Sequence, residues 1–231
     1  MTGAPFPPRR SRYGADLLVL LAAGALLAFY YVARADLIGV SSATRGWAAM
    51  TLRAVPAGVH FVAAALLLGV LPVVLARALT GRSLTQLGLG LGNVRAGLIL
   101  LAAGTPLAIL AGAIGAASPA MRAVYPLFPG AAGAGFAGYA AMQFLYFGAW
   151  EVLFRGVLLF GLRPKLGDTT ANVLQTALSV TAHFGRAINE TAAALPAGLV
   201  FGWVDLRVGS IWYVAILHWI VGVSMDWFLL H

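Results

Sequence analysis

The run FAGYAAMQFLYFGAWEVLFRGVLLFGL, Phe136 to Leu162, holds only three strongly polar side chains: Gln143, Glu151 and Arg155. It is longer than the roughly 20 residues that cross a bilayer core as a helix, which makes it a membrane span and the fold a helical one. A charge at bilayer depth costs about 2.5 to 3.5 kcal/mol on insertion scales, so a chain this apolar should shed the pair unless it is used. Glu151 and Arg155 are four residues apart, one helical turn, and their side chains can meet on one face. The bland reading is an ion pair that fixes helix packing. The functional one is a carboxylate held and oriented by its neighbour as a base.

The rest of the chain agrees with a membrane setting. Of 231 residues, 61% are hydrophobic and 10% charged, with a mean hydropathy of +0.90, whereas about a quarter of residues are charged in soluble domains. Apolar runs suggest seven spans: Asp16 to Ala33, Ala57 to Ala78, Ala96 to Ala117, Phe136 to Leu162, Thr170 to Ala187, Thr191 to Val204 and Ser210 to Leu230. Pro56, Gly81, Pro119, Pro164 and Gly209 stand where helices should stop. The sequence is therefore read as all-α, a polytopic transmembrane bundle of about seven or eight helices. Residues 1–231 form a single membrane domain, in which 84–226 is the core and 1–83 supplies N-terminal spans. No repeat at a fixed period is found.

The formal charge of +8 does not signal nucleic acid, because the basic residues are scattered between apolar runs without aromatic interleaving in a polar region. Membrane-surface anchoring accounts for them. A cytoplasmic N-terminus puts nine basic residues inside (Arg9, Arg10, Arg12, Arg77, Arg82, Arg95, Arg163, Lys165 and Arg207) and five outside (Arg34, Arg45, Arg53, Arg122 and Arg186). The run from Leu17 to Ala33 exceeds the 7 to 15 residues usual in a signal-peptide core, so it is read as a retained span. Cysteine is absent, which excludes disulfides, thiolate metal sites and a cysteine nucleophile. Any chemistry must use oxygen and imidazole.

Two connections are more than links. Ser83 to Ala96, with Gly88, Gly90 and Gly92 among leucines, is expected to lie on the cytoplasmic membrane surface. It lacks the preceding strand of a dinucleotide loop. Ser118 to Gly135, with three prolines, Tyr125 and Phe128, is expected to border a site as a re-entrant or interfacial loop.

Two histidines lie in the later apolar runs. His183 closes the stretch Leu178 to Ala182, a place where histidine is usually a hydrogen-bonded packing residue. His218 sits eight residues into the last run, with Asp226 two turns on as a candidate to orient it or to line a polar cavity. Glu190 follows His183 by seven residues; it either reaches the same mouth or is a wet loop acid. His60 is read as structural, His231 as solvated, and Asp205 with Arg207 as a surface pair at a helix end.

The run Trp150 to Gly156, the later His183, and the closing Gly198 to Gly202, Gly209 to Trp212 and His218 together resemble the CPBP family, which comprises CAAX-prenyl-endopeptidase and bacteriocin-processing (Abi) intramembrane proteases. The resemblance covers roughly Leu84 to Asp226. The family's first motif has two adjacent glutamates, three residues and an arginine; Glu151 and Arg155 match, but Trp150 stands in the first glutamate's place. Ser179 replaces a phenylalanine four residues before the histidine of the second motif. Gly222 replaces the Asn or Asp four residues after His218. The resemblance implies peptide hydrolysis in or near the membrane, with catalytic roles for Glu151, His183 and His218 and support from Arg155, Asp226 and Glu190. Glu151 would act as general base on a water and a histidine would polarise the carbonyl. Two histidines and a carboxylate also leave a zinc site at Glu151, His183 and His218 open.

The implied partners are the lipid bilayer and a membrane-associated protein or peptide substrate, in a bacterial inner membrane. Two other readings stand beside this one. A non-catalytic relative with an immunity, scaffold or lipid-binding role would have Trp150 filling the cavity. A small proton-relay transporter would have a polar path to both faces.

Overall fold

The computed structural model describes residues 14–33 and 57–231. Among the described residues seven long helices make up the bundle: α1 Gly14–Ala33, α2 Ala57–Thr80, α3 Val94–Ala117, α4 Phe136–Leu166, α5 Asp168–Thr181, α6 Ile188–Val208 and α7 Trp212–Leu230. No strand occurs among the described residues. The boundary residue Pro56 and six of the basic anchors (Arg9, Arg10, Arg12, Arg34, Arg45 and Arg53) lie outside them.

Among the described residues six helices, α1 to α4, α6 and α7, are each at least 18 residues long and apolar enough to cross a membrane. At the place of the expected fifth span stands α5, a helix of 14 residues with a polar buried face. On that face Gln175 Nε2 donates to Asn172 Oδ1 and Thr176 Oγ1, each at 2.8 Å, and Asn172 Nδ2 donates to the Leu199 carbonyl of α6 at 2.9 Å. These bonds couple α5 to α6 as the tight antiparallel pair that the short loop implies. The sixth span is longer than its apolar run suggests, 21 residues. It absorbs Pro196, and stops where Gly209 takes a left-handed φ of 75° and donates its N–H to the Asp205 carbonyl.

Pro164 does not end α4. Proline supplies no N–H for the carbonyl four residues back, and that carbonyl, Phe160 O, instead accepts Arg82 Nη1 at 2.6 Å. The helix runs on to Leu166 and stops at Gly167, whose φ is 77°.

α4 is the buried centre of the bundle. α1 lays Leu18, Ala22, Ala25 and Phe29 against it and against α2, in one core with Ala64, Leu68, Leu153, Phe154 and Leu158. The opposite faces of α1 and α3 leave Leu20, Leu27, Leu98, Ile99, Leu107 and Ile114 exposed, as lipid contact requires. The Ser83 to Ala96 segment is tied into the bundle through its backbone. Its carbonyls are taken by the turn before α7 and by the first residues of α7: Gly88 O accepts Ile211 N at 3.0 Å, Leu89 O accepts Trp212 Nε1 at 2.9 Å and Leu91 O accepts Tyr213 Oη at 3.0 Å. Gly88 and Gly92 adopt φ of 73° and 56°, left-handed values that favour glycine.

α3 and α7 pack through glycine, a recurring device where helices must approach closely in lipid. A Cβ on Gly112 would fall 2.8 Å from Met225 N and 2.9 Å from Val221 O, backbone atoms that cannot swing aside. Gly112→Val is therefore expected to cost about 2 kcal/mol or more by overpacking. Thermal unfolding in detergent checks this; an unchanged midpoint would contradict the packing described.

Candidate active site

Immediately after Glu151, α4 widens into a π-helical stretch, Val152–Phe160, a distortion that recurs at functional sites. Glu151 is 0% exposed and Arg155 2%. Arg155 Nε lies 3.2 Å from Glu151 Oε2 and Nη1 donates to Oε1 at 3.3 Å, so the guanidinium spans both carboxylate oxygens. From α7, His218 Nδ1 meets Glu151 Oε1 at 2.6 Å. Two residues far apart in sequence are thus joined at the buried end of one carboxylate.

His218 and Arg155 line a cavity of about 500 Å3, and Glu151 lies behind that wall. The bond from Nδ1 to the carboxylate leaves Nε2 as the imidazole nitrogen without a protein partner among the described residues. Phe147 and Phe201 flank the ring, with centroids 4.8 and 6.0 Å away.

His183 lines the same cavity but belongs to a different cluster. Its Nδ1 lies 2.7 Å from the Ser179 carbonyl, which accepts, so Nδ1 carries the proton. Nε2 points towards Glu190, 3.9 Å from Oε1. Burial pushes His183 down to about 4, and the ring is neutral at physiological pH. Glu190 is no loosely solvated loop acid: it accepts Tyr125 Oη at 2.8 Å and pairs with Arg186 at 3.4 Å, while Arg186 also donates to the hydroxyls of Tyr125 and Tyr146. An unfolded chain protonates His183 below about 6.5 and the folded one only near 4, so stability falls as pH drops through that window. His183→Gln should flatten this part of the thermal-stability profile; an unaltered slope between pH 6.5 and 4.5 would count against a buried neutral ring.

Asp226 does not orient His218. It bonds across to α4, accepting Tyr139 Oη at 2.8 Å and Gln143 Nε2 at 2.6 Å on Oδ2, and it lines the cavity. Sequence reasoning singled out Gln143 as polar but gave it no role, and it passed over Tyr139. A signal existed: Gln143 precedes Glu151 by eight residues and Asp226 follows His218 by eight. Antiparallel α4 and α7 therefore carry two polar rungs with one spacing.

The remaining expectations are placed as follows. Trp150 is 2% exposed, lines the cavity without closing it, and packs edge-on to His183 with ring centroids 5.1 Å apart. Its Nε1–H has no acceptor among the described residues. Any Cβ on Gly222 would overlap the Phe147 ring, so the Asn or Asp of the family pattern fits only with Phe147 swung away. His60 sits at the cavity wall among the rings of Phe29, Phe61, Phe128 and Tyr146. Asp205 is not half of a surface pair: it is 0% exposed, whereas Arg207 lies 4.8 Å over the Trp203 ring. Among the described residues no three His, Asp or Glu side chains are grouped to hold a metal ion, and His183 turns to Ser179 and Glu190. The donor set does not fit zinc at Glu151, His183 and His218, and no step is derived through a metal.

No curated protein and no solved structure gives a significant match to the chain. The model of one family does, over residues 132–224: type II CAAX prenyl endopeptidase Rce1-like. That segment runs from just before α4 into α7 and contains Glu151, Arg155, His183 and His218. With its all-helical bundle and, among the described residues, six helices long and apolar enough to cross a membrane, the chain is an integral membrane protein that over residues 132–224 is similar to the Rce1-like prenyl endopeptidases.

Proposed function

We propose that this protein is an intramembrane endopeptidase that hydrolyses a peptide bond in a membrane-associated protein or peptide tail. The reading rests on the 2.6 Å contact between His218 Nδ1 and Glu151 Oε1, made between two spans at the wall of a cavity of about 500 Å3. Glu151 is too enclosed to meet a water itself, so the role of base passes to the histidine. With Nδ1–H donated to the carboxylate, His218 Nε2 takes a proton from a water as its oxygen bonds to the scissile carbonyl carbon. When the C–N bond breaks, that proton passes to the leaving nitrogen. Glu151 holds the tautomer and stabilises the imidazolium, the division of labour known from acid–histidine pairs, and Arg155 holds the carboxylate in position.

The oxyanion needs donors. His183, neutral with its proton on Nδ1 towards Ser179, has none to offer from Nε2. Arg155 and Trp150 line the same cavity, the Trp150 Nε1–H having no acceptor among the described residues, and these two donors take that role. Tryptophan here replaces an acid by a donor. We place the chain in a bacterial inner membrane with its N-terminus in the cytoplasm, following the positive-inside count.

The test is turnover of a fluorogenic membrane-tail peptide library by the protein in lipid nanodiscs, beside His218→Gln. Cleavage by the wild type and none by the variant is expected. Equal rates would remove the mechanism. A wild type without turnover would favour the non-catalytic reading, for which the replacement of a glutamate by Trp150 is the specific support.

A further inference from the structure

The rung formed by Tyr139, Gln143 and Asp226 takes no part in that chemistry, yet it faces the same cavity. Asp226 is 1% exposed, Tyr139 4% and Gln143 7%. Oδ2 of Asp226 holds both of the donors present, Tyr139 Oη and Gln143 Nε2. Oδ1 of Asp226 and Oε1 of Gln143 have no hydrogen-bond partner among the described residues, and no basic side chain is paired with Asp226 there. A buried carboxylate with surplus acceptors and no cation is costly unless a donor arrives. Two acceptors, one of them a carboxylate, at the wall of a cavity open to a ligand call for a compact group with several N–H donors and positive charge. A primary ammonium has three donors and no acceptor.

We propose that this rung is a binding site for a primary ammonium of the peptide substrate, a lysine side chain or a free N-terminus. The binding does not depend on the hydrolase reading; only its register does. The two rungs are eight residues apart on both helices, which is about 12 Å at 1.5 Å per residue. An extended peptide covers that distance in about three to four residues. A scissile carbonyl at His218 therefore sets the ammonium three or four residues away along the substrate, with Phe147 and Gly222 between them.

The test reads binding, not turnover. Full-length Glu151→Gln protein in phosphatidylglycerol nanodiscs, which lack amine headgroups, is titrated against fluorescent N-acetylated apolar peptides that carry one Lys or one norleucine. A non-acetylated norleucine peptide separates a free N-terminus from a side chain. An ammonium on either is expected to tighten binding about tenfold, the scale of one charge-assisted hydrogen bond. Adding Asp226→Asn should bring the ratio close to one. Gln143→Leu, which keeps the carboxylate, should lower it part of the way and decides the matter if the asparagine variant does not fold. Equal affinities of the charged and neutral peptides, or a ratio untouched in both variants, would overturn the proposal. The two readings fail separately. Glu151-dependent cleavage without ammonium preference sinks this site alone, while ammonium preference without cleavage sinks the hydrolase alone.

Discussion

Glu151→Gln is expected to lower turnover of a membrane-tail peptide by about 10²- to 10⁴-fold, the range of a positioned acid–base group. The change is nearly isosteric, but an amide cannot hold the Nδ1–H tautomer of His218 as a carboxylate does, nor stabilise the imidazolium formed when water gives up its proton. Glu151 acts through His218, 2.6 Å away, so the two should not behave independently. The double variant Glu151→Gln with His218→Gln should be no slower than His218→Gln alone, since residues that act as a unit are strongly non-additive. A carboxylate that only braced the helices would lower stability while leaving turnover per folded molecule unchanged, and multiplicative losses in the double variant would mean separate roles.

The second large effect concerns stability. Arg155 is 2% exposed and its guanidinium touches both oxygens of a wholly buried carboxylate. Removing one partner of such a pair leaves an uncompensated charge and typically costs about 3 to 5 kcal/mol, whereas replacing both partners by neutral groups costs far less. Arg155→Leu is expected to show that full loss in thermal unfolding, and Glu151→Gln on the Arg155→Leu background to recover more than half of it. If Arg155→Leu unfolds with the wild type, the pair is not what compensates the charge at the centre of α4.

Much of this architecture can be read from residues. The Phe136 to Leu162 run marks the buried centre because charges there must be satisfied inside the protein. Gly81 and Gly209, with φ of 69° and 75°, end helices where expected. What hydropathy does not show is the polar face of α5, where Asn172, Gln175 and Thr176 are buried against α6. Pro164 misleads for a different reason: the carbonyl it leaves vacant is filled by Arg82, 78 residues distant in sequence.

Within the site, the type of residue was legible and the partnering was not. Glu151, His183 and His218 stand out as polar groups in apolar runs, but which imidazole meets the carboxylate depends on how α4, α5 and α7 pack. Asp226 was visible beside His218, one helix face being the only guide. Its partners lie on α4, where spacing gives them away only after the two helices are known to be antiparallel neighbours. Asp205 looked like a surface acid beside Arg207 because the sequence does not show that α6 continues through both.

The central claim is that two spans join a carboxylate and an imidazole beside a cavity where water attacks a peptide bond. Hydrolysis of a membrane-tail peptide in 18O-labelled water, read by mass spectrometry of the new C-terminus, tests it most directly. The wild type should place 18O in the new carboxylate, while Glu151→Gln and His218→Gln, purified at equal folded concentration, should yield almost none. Labelled product formed at the wild-type rate by either variant would contradict it.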